Sequence, residues 1–343
     1  MSDTVLYAPN VHTGGGLVLL RGLLNHWPAR DGRTAFLDAR ACDQLHVPAG
    51  VDVHWVQAGF ASRLRAERKL QRAAKPGGMV LCFHSLPPLL RNGARNVVFH
   101  QNRNYLGLNP LRDFTLRTAV RLAFERLVAR HLSHRVAEYV VQTPTMARAL
   151  QHWYGRGCPS VRVLPFVDAW PSPAAPGGRR FDFVYVADGE AMKNHDRLLQ
   201  AWQLLAQQGV RPSLALTLGA RDAVLAERVD TIAREHGLQV HNLGHLPHAE
   251  VMALYGSARA LVFPSISESF GLPLVEATRL GLPIVAAELD YVRDVCTPVQ
   301  SFDPRSPVSI ARAVARFLGE DSGPITIDEP NAIWNASADI GRA

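Results

Sequence analysis

Strand-like and helix-like stretches alternate twice over along this chain, and several of the strand-like ones are short apolar runs without polar alternation. Such runs suit strands buried on both faces, since a strand with one wet face alternates. Thr4-Val-Leu-Tyr-Ala8 is the first, followed by a loop with Thr13-Gly14-Gly15-Gly16 and an apolar helix over 17–24. Further strands are expected at 33–37, 51–56, 78–83, 96–100, 139–142 and 161–164. The stretch Ala169-Trp-Pro-Ser-Pro-Ala-Ala-Pro-Gly-Gly178 has no periodicity and reads as an interdomain linker. A second series then places strands at 181–186, 214–218, 240–243, 260–263 and 283–287, with helices over 197–207, 222–236 and 249–257. This rhythm predicts an α/β chain of two Rossmann-like domains with parallel sheets, residues 1–168 and 180–343, joined by residues 169–179. Ligands of such sheets sit beyond the carboxyl ends of the strands.

The apolar run Ala260-Leu-Val-Phe263 leads into Ser265-Ile-Ser-Glu268-Ser-Phe-Gly271-Leu-Pro273-Leu-Val-Glu276. Gly271 permits a tight turn, Pro273 suits a first helical position, and Gly281 followed by Pro283 stops the helix. Glu268 is therefore expected on the loop and Glu276 about one turn into the helix. Between them, the N–H groups of Ser269, Phe270, Gly271 and Leu272 point out of a helix N-terminus, where partial positive charge and unpaired donors favour a diphosphate. Taken as two isolated acids, the glutamates could instead be helix-end residues, with Glu276 near N3 satisfying a first-turn donor.

The segment Glu268-Ser-Phe-Gly-Leu-Pro-Leu-Val-Glu276 resembles the Glu-x7-Glu signature of retaining GT-B-fold glycosyltransferases of family 4, of the bacterial surface-polysaccharide type. The resemblance implies the GT-B architecture, two facing Rossmann-like domains, with the donor bound mostly by the second. It implies that Glu276 holds the donor ribose and that Glu268 lies beside the donor sugar. Lys193-Asn194, after Val184-Tyr-Val-Ala187-Asp-Gly189, matches the place of a family lysine that contacts the diphosphate, and a compact ammonium is a natural partner for phosphate. One departure is that Glu190 stands where the family usually has an arginine after the glycine. Gly14-Gly15-Gly16 resembles the N-terminal glycine loop, with Gly15 and Gly16 close to the donor. His100, ending the strand Val97-Val-Phe-His100, matches the family histidine that faces the donor sugar, with His84 as the competing candidate. Asn102 and Arg103 would line the acceptor side. Asn242-Leu-Gly244-His-Leu246 resembles the loop bordering the base, so Leu246 joins the donor set. Thr143-Pro-Thr145 resembles the loop closing the last strands of the first domain, and Pro165-Phe-Val-Asp168 the entry to the linker.

The activity implied is transfer of a hexose-type sugar from a nucleoside diphosphate sugar to a hydroxyl acceptor. The leaving phosphate would take the acceptor proton, so no protein base is assigned. No cofactor is expected, and no metal, since no Asp-x-Asp cluster stands in a suitable place. The alternatives are a nucleotide-sugar-binding protein that no longer transfers, for which Glu190 is the hint, and a GT-B sugar-nucleotide epimerase.

Charge divides unevenly along the chain. Residues 1–168 carry 22 Lys+Arg against 10 Asp+Glu and residues 169–343 carry 15 against 20, so +12 and −5 make up the net +7. The basic half holds two helix-like stretches, one from Arg63 to Arg72 and one from Arg112 to Arg135. In the second, Phe114, Val120, Phe124, Leu127 and Val128 can share one face with arginines on the other. Such a helix either docks on an anionic membrane surface or forms a solvated face. A lipid-linked or lipopolysaccharide-type glycan is the expected acceptor, a soluble glycan or small metabolite the runner-up. Nucleic acid is not an expected partner: no zinc finger or RNP motif is present, and only 8% of residues are aromatic. Cys42, Cys82, Cys158 and Cys296 form no C-x-x-C pair and read as reduced thiols. No apolar run reaches the roughly 18 residues of a membrane span, and Met1-Ser-Asp-Thr lacks a basic leader. The expected location is cytoplasmic, either free or peripheral at the inner face of the membrane.

Overall fold

The computed structural model describes residues 3–29, 32–168 and 178–320. The first unit runs β1 (Thr4–Ala8), α1 (Gly14–Asn25), β2 (Arg33–Asp38), β3 (Val51–Val56), α2 (Phe60–Ala73), β4 (Met79–Cys82), β5 (Arg95–Phe99), α3 (Leu116–Leu132), β6 (Glu138–Val141), α4 (Pro144–Tyr154) and β7 (Ser160–Val163). All its strand pairs are parallel, in the order β3-β2-β1-β4-β5-β6-β7. The second unit runs β8 (Phe181–Tyr185), α5 (His195–Gln207), β9 (Leu214–Leu216), α6 (Ala223–His236), β10 (Val240–Asn242), α7 (His248–Gly256), β11 (Ala258–Phe263), α8 (Leu272–Arg279), β12 (Ile284–Ala287), α9 (Asp290–Arg293), β13 (Gln300–Phe302) and α10 (Pro307–Leu318). Its sheet is also parallel, in the order β10-β9-β8-β11-β12-β13.

The unalternated runs are buried on both faces as their composition requires: Phe183, Val184 and Tyr185 in β8 and Ala260, Leu261 and Val262 in β11 are all fully buried. In each sheet the strand order reverses beside the first strand, between β1 and β4 and between β8 and β11. Loops leaving the carboxyl ends of those pairs diverge and leave a crevice.

Four sequence expectations need correction. α1 begins at Gly14 rather than at residue 17, so the three glycines are its first turn and not a loop. Thr143-Pro-Thr145 is not a loop either: Thr143 Oγ1 accepts from the Met146 N–H, Pro144 takes the first helical position, and α4 follows. The short β13 and the amphipathic α10 were not expected. In α3 the arginines do not stand opposite the apolar face. Leu122, Arg126, Ala129 and Leu132 are buried, while Leu116, Val120, Phe124 and Leu127 face solvent beside Arg117, Arg121 and Arg130. The expected linker at 169–177 and everything after residue 320 lie outside the described residues.

Candidate active site

Strands β8 and β11 are neighbours, with Phe183 paired to Ala260, so the loops that follow them end side by side. After β8 a short 3-10 turn, Ala191–Lys193, leads to Asn194 in the left-handed region (φ 63°). The Asn194 amide donates to the carbonyls of Pro264 at 3.0 Å and Pro304 at 2.7 Å. Its side chain therefore ties its own loop to those that follow β11 and β13. Tyr185 Oη donates to the Lys193 carbonyl at 2.7 Å, and the Ile266 N–H to the Met192 carbonyl at 2.8 Å. Held this way, Lys193 Nζ lies 2.8 Å from Glu268 Oε1, which Ser265 Oγ also approaches at 2.7 Å. Burial works against the Lys193 ammonium, but Glu268, Asp188 and Glu190 together hold its pKa above the ordinary lysine value. Burial and the neighbouring Asp188 raise the pKa of Glu190, with Lys193 opposing. The position after Gly189 thus adds a carboxyl group beside the Lys193 ammonium.

Gly271 precedes α8 at φ 77°, ψ 63°, a conformation open to glycine, and Pro273 sits in the first turn. Glu276 is 4% exposed. It does not cap the helix: Oε2 accepts from Tyr255 Oη at 2.8 Å and Oε1 lies 3.0 Å from His248 Nε2. Each carboxylate oxygen keeps a further lone pair for a ligand hydroxyl. Burial and the Glu276 charge push the Tyr255 phenol well above its ordinary pKa, so it stays a donor.

The first domain meets this site at its own reversal point. A Cβ built on Gly15 would sit 2.9 Å from Leu272 Cδ1, so the N-terminus of α1 approaches that of α8. On Gly16 it would sit 3.3 Å from Gln101 Oε1, and Gln101 is in turn held by Ser85 Oγ and the Phe83 carbonyl. Arg103 Nη1 donates to the Glu268 backbone carbonyl at 2.8 Å. Arg103, expected on the acceptor side, reaches across to the loop that carries Glu268. Asn102 Oδ1 accepts from the Asn104 N–H and caps the 3-10 turn Arg103–Leu106. Thr143 Oγ1 donates to the Ser269 carbonyl at 3.2 Å, and Asp294 accepts from the Thr145 N–H at 2.7 Å, closing the two domains on each other.

His100 is 1% exposed, edge-on to Tyr105 and Tyr139, and burial lowers its pKa to about 3. It is a neutral ring lodged inside the first domain. His84, also buried, places Nδ1 3.1 Å from the Tyr7 carbonyl, and burial takes its pKa well below the usual value. Leu246 is half-buried against the second core, on the loop after β10. Phe270 is buried, and Leu272 packs on the first domain's core.

Sequence reasoning missed Tyr255, His248 and Ser265, and it did not single out His195. The spacing could have revealed one pair, because His248 and Tyr255 are seven residues apart on α7 and share a face. His195 opens α5 with both ring nitrogens buried and unpartnered. Burial lowers its pKa to about 4, with Asp188 opposing. Among the described residues no group of three or more His, Cys, Asp or Glu side chains is placed to hold a metal ion.

Residues 168–332 match the profile of the family described as Glycosyl transferases group 1. The chain is 34% identical over 143 residues to the O-antigen chain mannosyltransferase B of Escherichia coli, a match spanning 40% of this chain and 37% of that protein. The chain therefore covers well under two thirds of the curated relatives it matches. Sucrose-phosphate synthase from Thermosynechococcus elongatus superposes with a TM-score of 0.68 at 16% identity, covering 93% of this chain and 90% of that one. Anabaena Alr3699/HepE, solved in complex with UDP-glucose, gives the same TM-score, identity and coverage. The fold shared with these structures is GT-B, with two Rossmann-like α/β domains built on parallel sheets.

Proposed function

We propose that the chain is a retaining, metal-independent glycosyltransferase that moves a sugar from a nucleoside diphosphate sugar to a hydroxyl of a lipid-linked or lipopolysaccharide-type glycan. The observation that carries this reading is the meeting of the two reversal points. Lys193 and Glu268 pair across β8 and β11, and Arg103 and the N-terminus of α1 arrive from the other domain. The mannosyltransferase relative makes mannose the first donor sugar to try.

In the proposed reaction the bond from the anomeric carbon to the diphosphate oxygen breaks, and a bond to the acceptor oxygen forms on the same face. The acceptor proton passes to the departing phosphate, so His100, buried and neutral, needs no role as a base. Lys193, Arg103 and the N-termini of α1 and α8 offset the leaving charge, which is the service a metal would otherwise render. Glu268 orients sugar hydroxyls, Glu276 holds the ribose, and the acceptor reaches the cleft from the first domain.

A thermal-shift panel of UDP, GDP, ADP, CMP and dTDP with their sugar conjugates, run on wild type and Glu276→Ala, tests the donor site. Selective stabilisation by one nucleotide, lost in the variant, supports it. No response to any nucleotide overturns it. Stabilisation without nucleotide release in the presence of glycan acceptors would make the chain a binder; interconversion of donors without acceptor would make it an epimerase.

A further inference from the structure

Four large apolar side chains lie bare on one helix. On α3, Leu116 is 81% exposed, Val120 62%, Phe124 64% and Leu127 68%. Their i, i+4, i+8, i+11 spacing sets them in a stripe roughly 100° wide along the helix. An amphipathic helix ordinarily turns such a stripe inward, yet here the inner face is already filled by Leu122, Ala129 and Leu132. Exposed Arg117 and Arg121 border the stripe on one side and Arg130 on the other. The one glutamate of the helix, Glu125, is half-buried on the opposite side beside Arg121 and Tyr105. The bare face is therefore apolar at its centre, cationic at its margins and free of carboxylates.

We infer that this face of α3 is a membrane-docking surface, whose partner is the interfacial region of an anionic lipid bilayer. Phe124, Leu127, Val120 and Leu116 enter the headgroup boundary, and the marginal arginines meet lipid phosphates. A second copy of the chain fits the same face poorly, because a two-fold contact would set the arginine margins against each other. The inner face links this surface to the cleft. Arg126 donates to the carbonyls of Asn104 at 2.7 Å and Asn109 at 2.9 Å, clamping the turn that carries Arg103 onto Glu268. Docking through α3 thus sets the cleft beside the bilayer, where a lipid-linked acceptor would present its sugar. That last step rests on the transferase reading; the docking itself does not.

The test is co-sedimentation of the full chain with vesicles of phosphatidylcholine alone and of phosphatidylcholine with phosphatidylglycerol. Wild type should pellet with the anionic vesicles only, and less as salt rises. Phe124→Glu/Leu127→Glu should lower the partition coefficient roughly tenfold or more, since two apolar side chains no longer leave water. Phe124→Ser, a milder change, should lower it in the same direction. Each variant is checked by its nucleotide thermal shift, which should match wild type. Absence of vesicle binding by wild type overturns the proposal, as does equal binding by folded variants. Sedimentation velocity showing a dimer that the double variant abolishes would give the stripe to a second copy and overturn it too. Loss of the nucleotide shift in wild type would count against the transferase reading and leave the vesicle result standing.

Discussion

Arg103 and Glu268 belong to different domains, yet the guanidinium of one lies 2.8 Å from the backbone carbonyl of the other. Burial depresses the Arg103 pKa, with Tyr291 and Glu268 opposing, and its Nε is buried without a partner. A cation held there, next to the Lys193–Glu268 pair, can take the place of the positive charge missing after Gly189. Arg103→Ala should lower kcat/KM for the donor by about 10–100-fold, the worth of one charge-assisted hydrogen bond. Arg103→Lys should recover only part of it, because a point charge does not reproduce the planar fork. Steady-state kinetics at saturating acceptor decides, and a wild-type value for Arg103→Ala would leave the residue a domain tie and nothing more.

Glu276 is buried between Tyr255 and His248, so its carboxylate is fixed before any ligand arrives. Removing it should weaken nucleotide binding by roughly 1.5–3 kcal/mol, through the lost charge-assisted bonds to ribose. Tyr255→Phe keeps the carboxylate but loosens it, and should cost a smaller part of that affinity. Titration calorimetry with the nucleotide that stabilises wild type measures both. A 2′-deoxy nucleotide that binds wild type as tightly as the ribose form would remove the reason for the assignment.

How much of this was legible in the sequence depends on where the signal was local. The passage from β11 through Gly271 and Pro273 into α8 was readable, because a buried run, a glycine needing positive φ and a first-turn proline all act within a few residues. β13 was not: it has three residues, two of them polar, and is held by pairing to β12. α10 was legible in principle, since Ser306 caps it, Pro307 starts it and Gly319 ends it. In α3 the period was readable but the buried face was not. Apolar residues line both sides, and the face that turns inward is the one where Leu122, Ala129 and Leu132 pack and Arg126 clamps Asn104 and Asn109. That the α7 pair His248 and Tyr255 meets Glu276, and that Arg103 meets Glu268, is set by topology that local spacing does not encode.

Asn194 gives a stability prediction separate from catalysis. Its left-handed backbone and its two amide contacts, to Pro264 and Pro304, are buried. Asn194→Ala takes the amide donor from both the Pro264 and the Pro304 carbonyl and keeps an alanine at positive φ, which should cost about 3 kcal/mol. For a domain of this size that corresponds to a fall in Tm on the order of 6–12 °C. Asn194→Gly relieves the backbone term and should recover part of the loss. Calorimetry of the three proteins separates the backbone contribution from the hydrogen bonds, and equal Tm values for all three would show that the amide carries no load.

Acid sensitivity should come from buried neutral histidines. Burial lowers His100 to about 3 and His195 to about 4, both below the ordinary value near 6.5. The unfolded chain therefore binds protons that the folded one refuses, and stability falls as pH drops from the unfolded value towards the folded one. Full stability is present above about pH 6.5, and the loss runs down to about 3 for His100 and about 4 for His195. Between pH 7 and pH 5 each histidine should cost roughly 2 kcal/mol of folding stability. Urea melts of wild type and His195→Gln across that range test this. The glutamine variant should start less stable at pH 7 if its amide finds no partner, but its slope against pH should be shallower by that amount. An unchanged slope would mean that His195 is protonated in the folded protein, paired with Asp188.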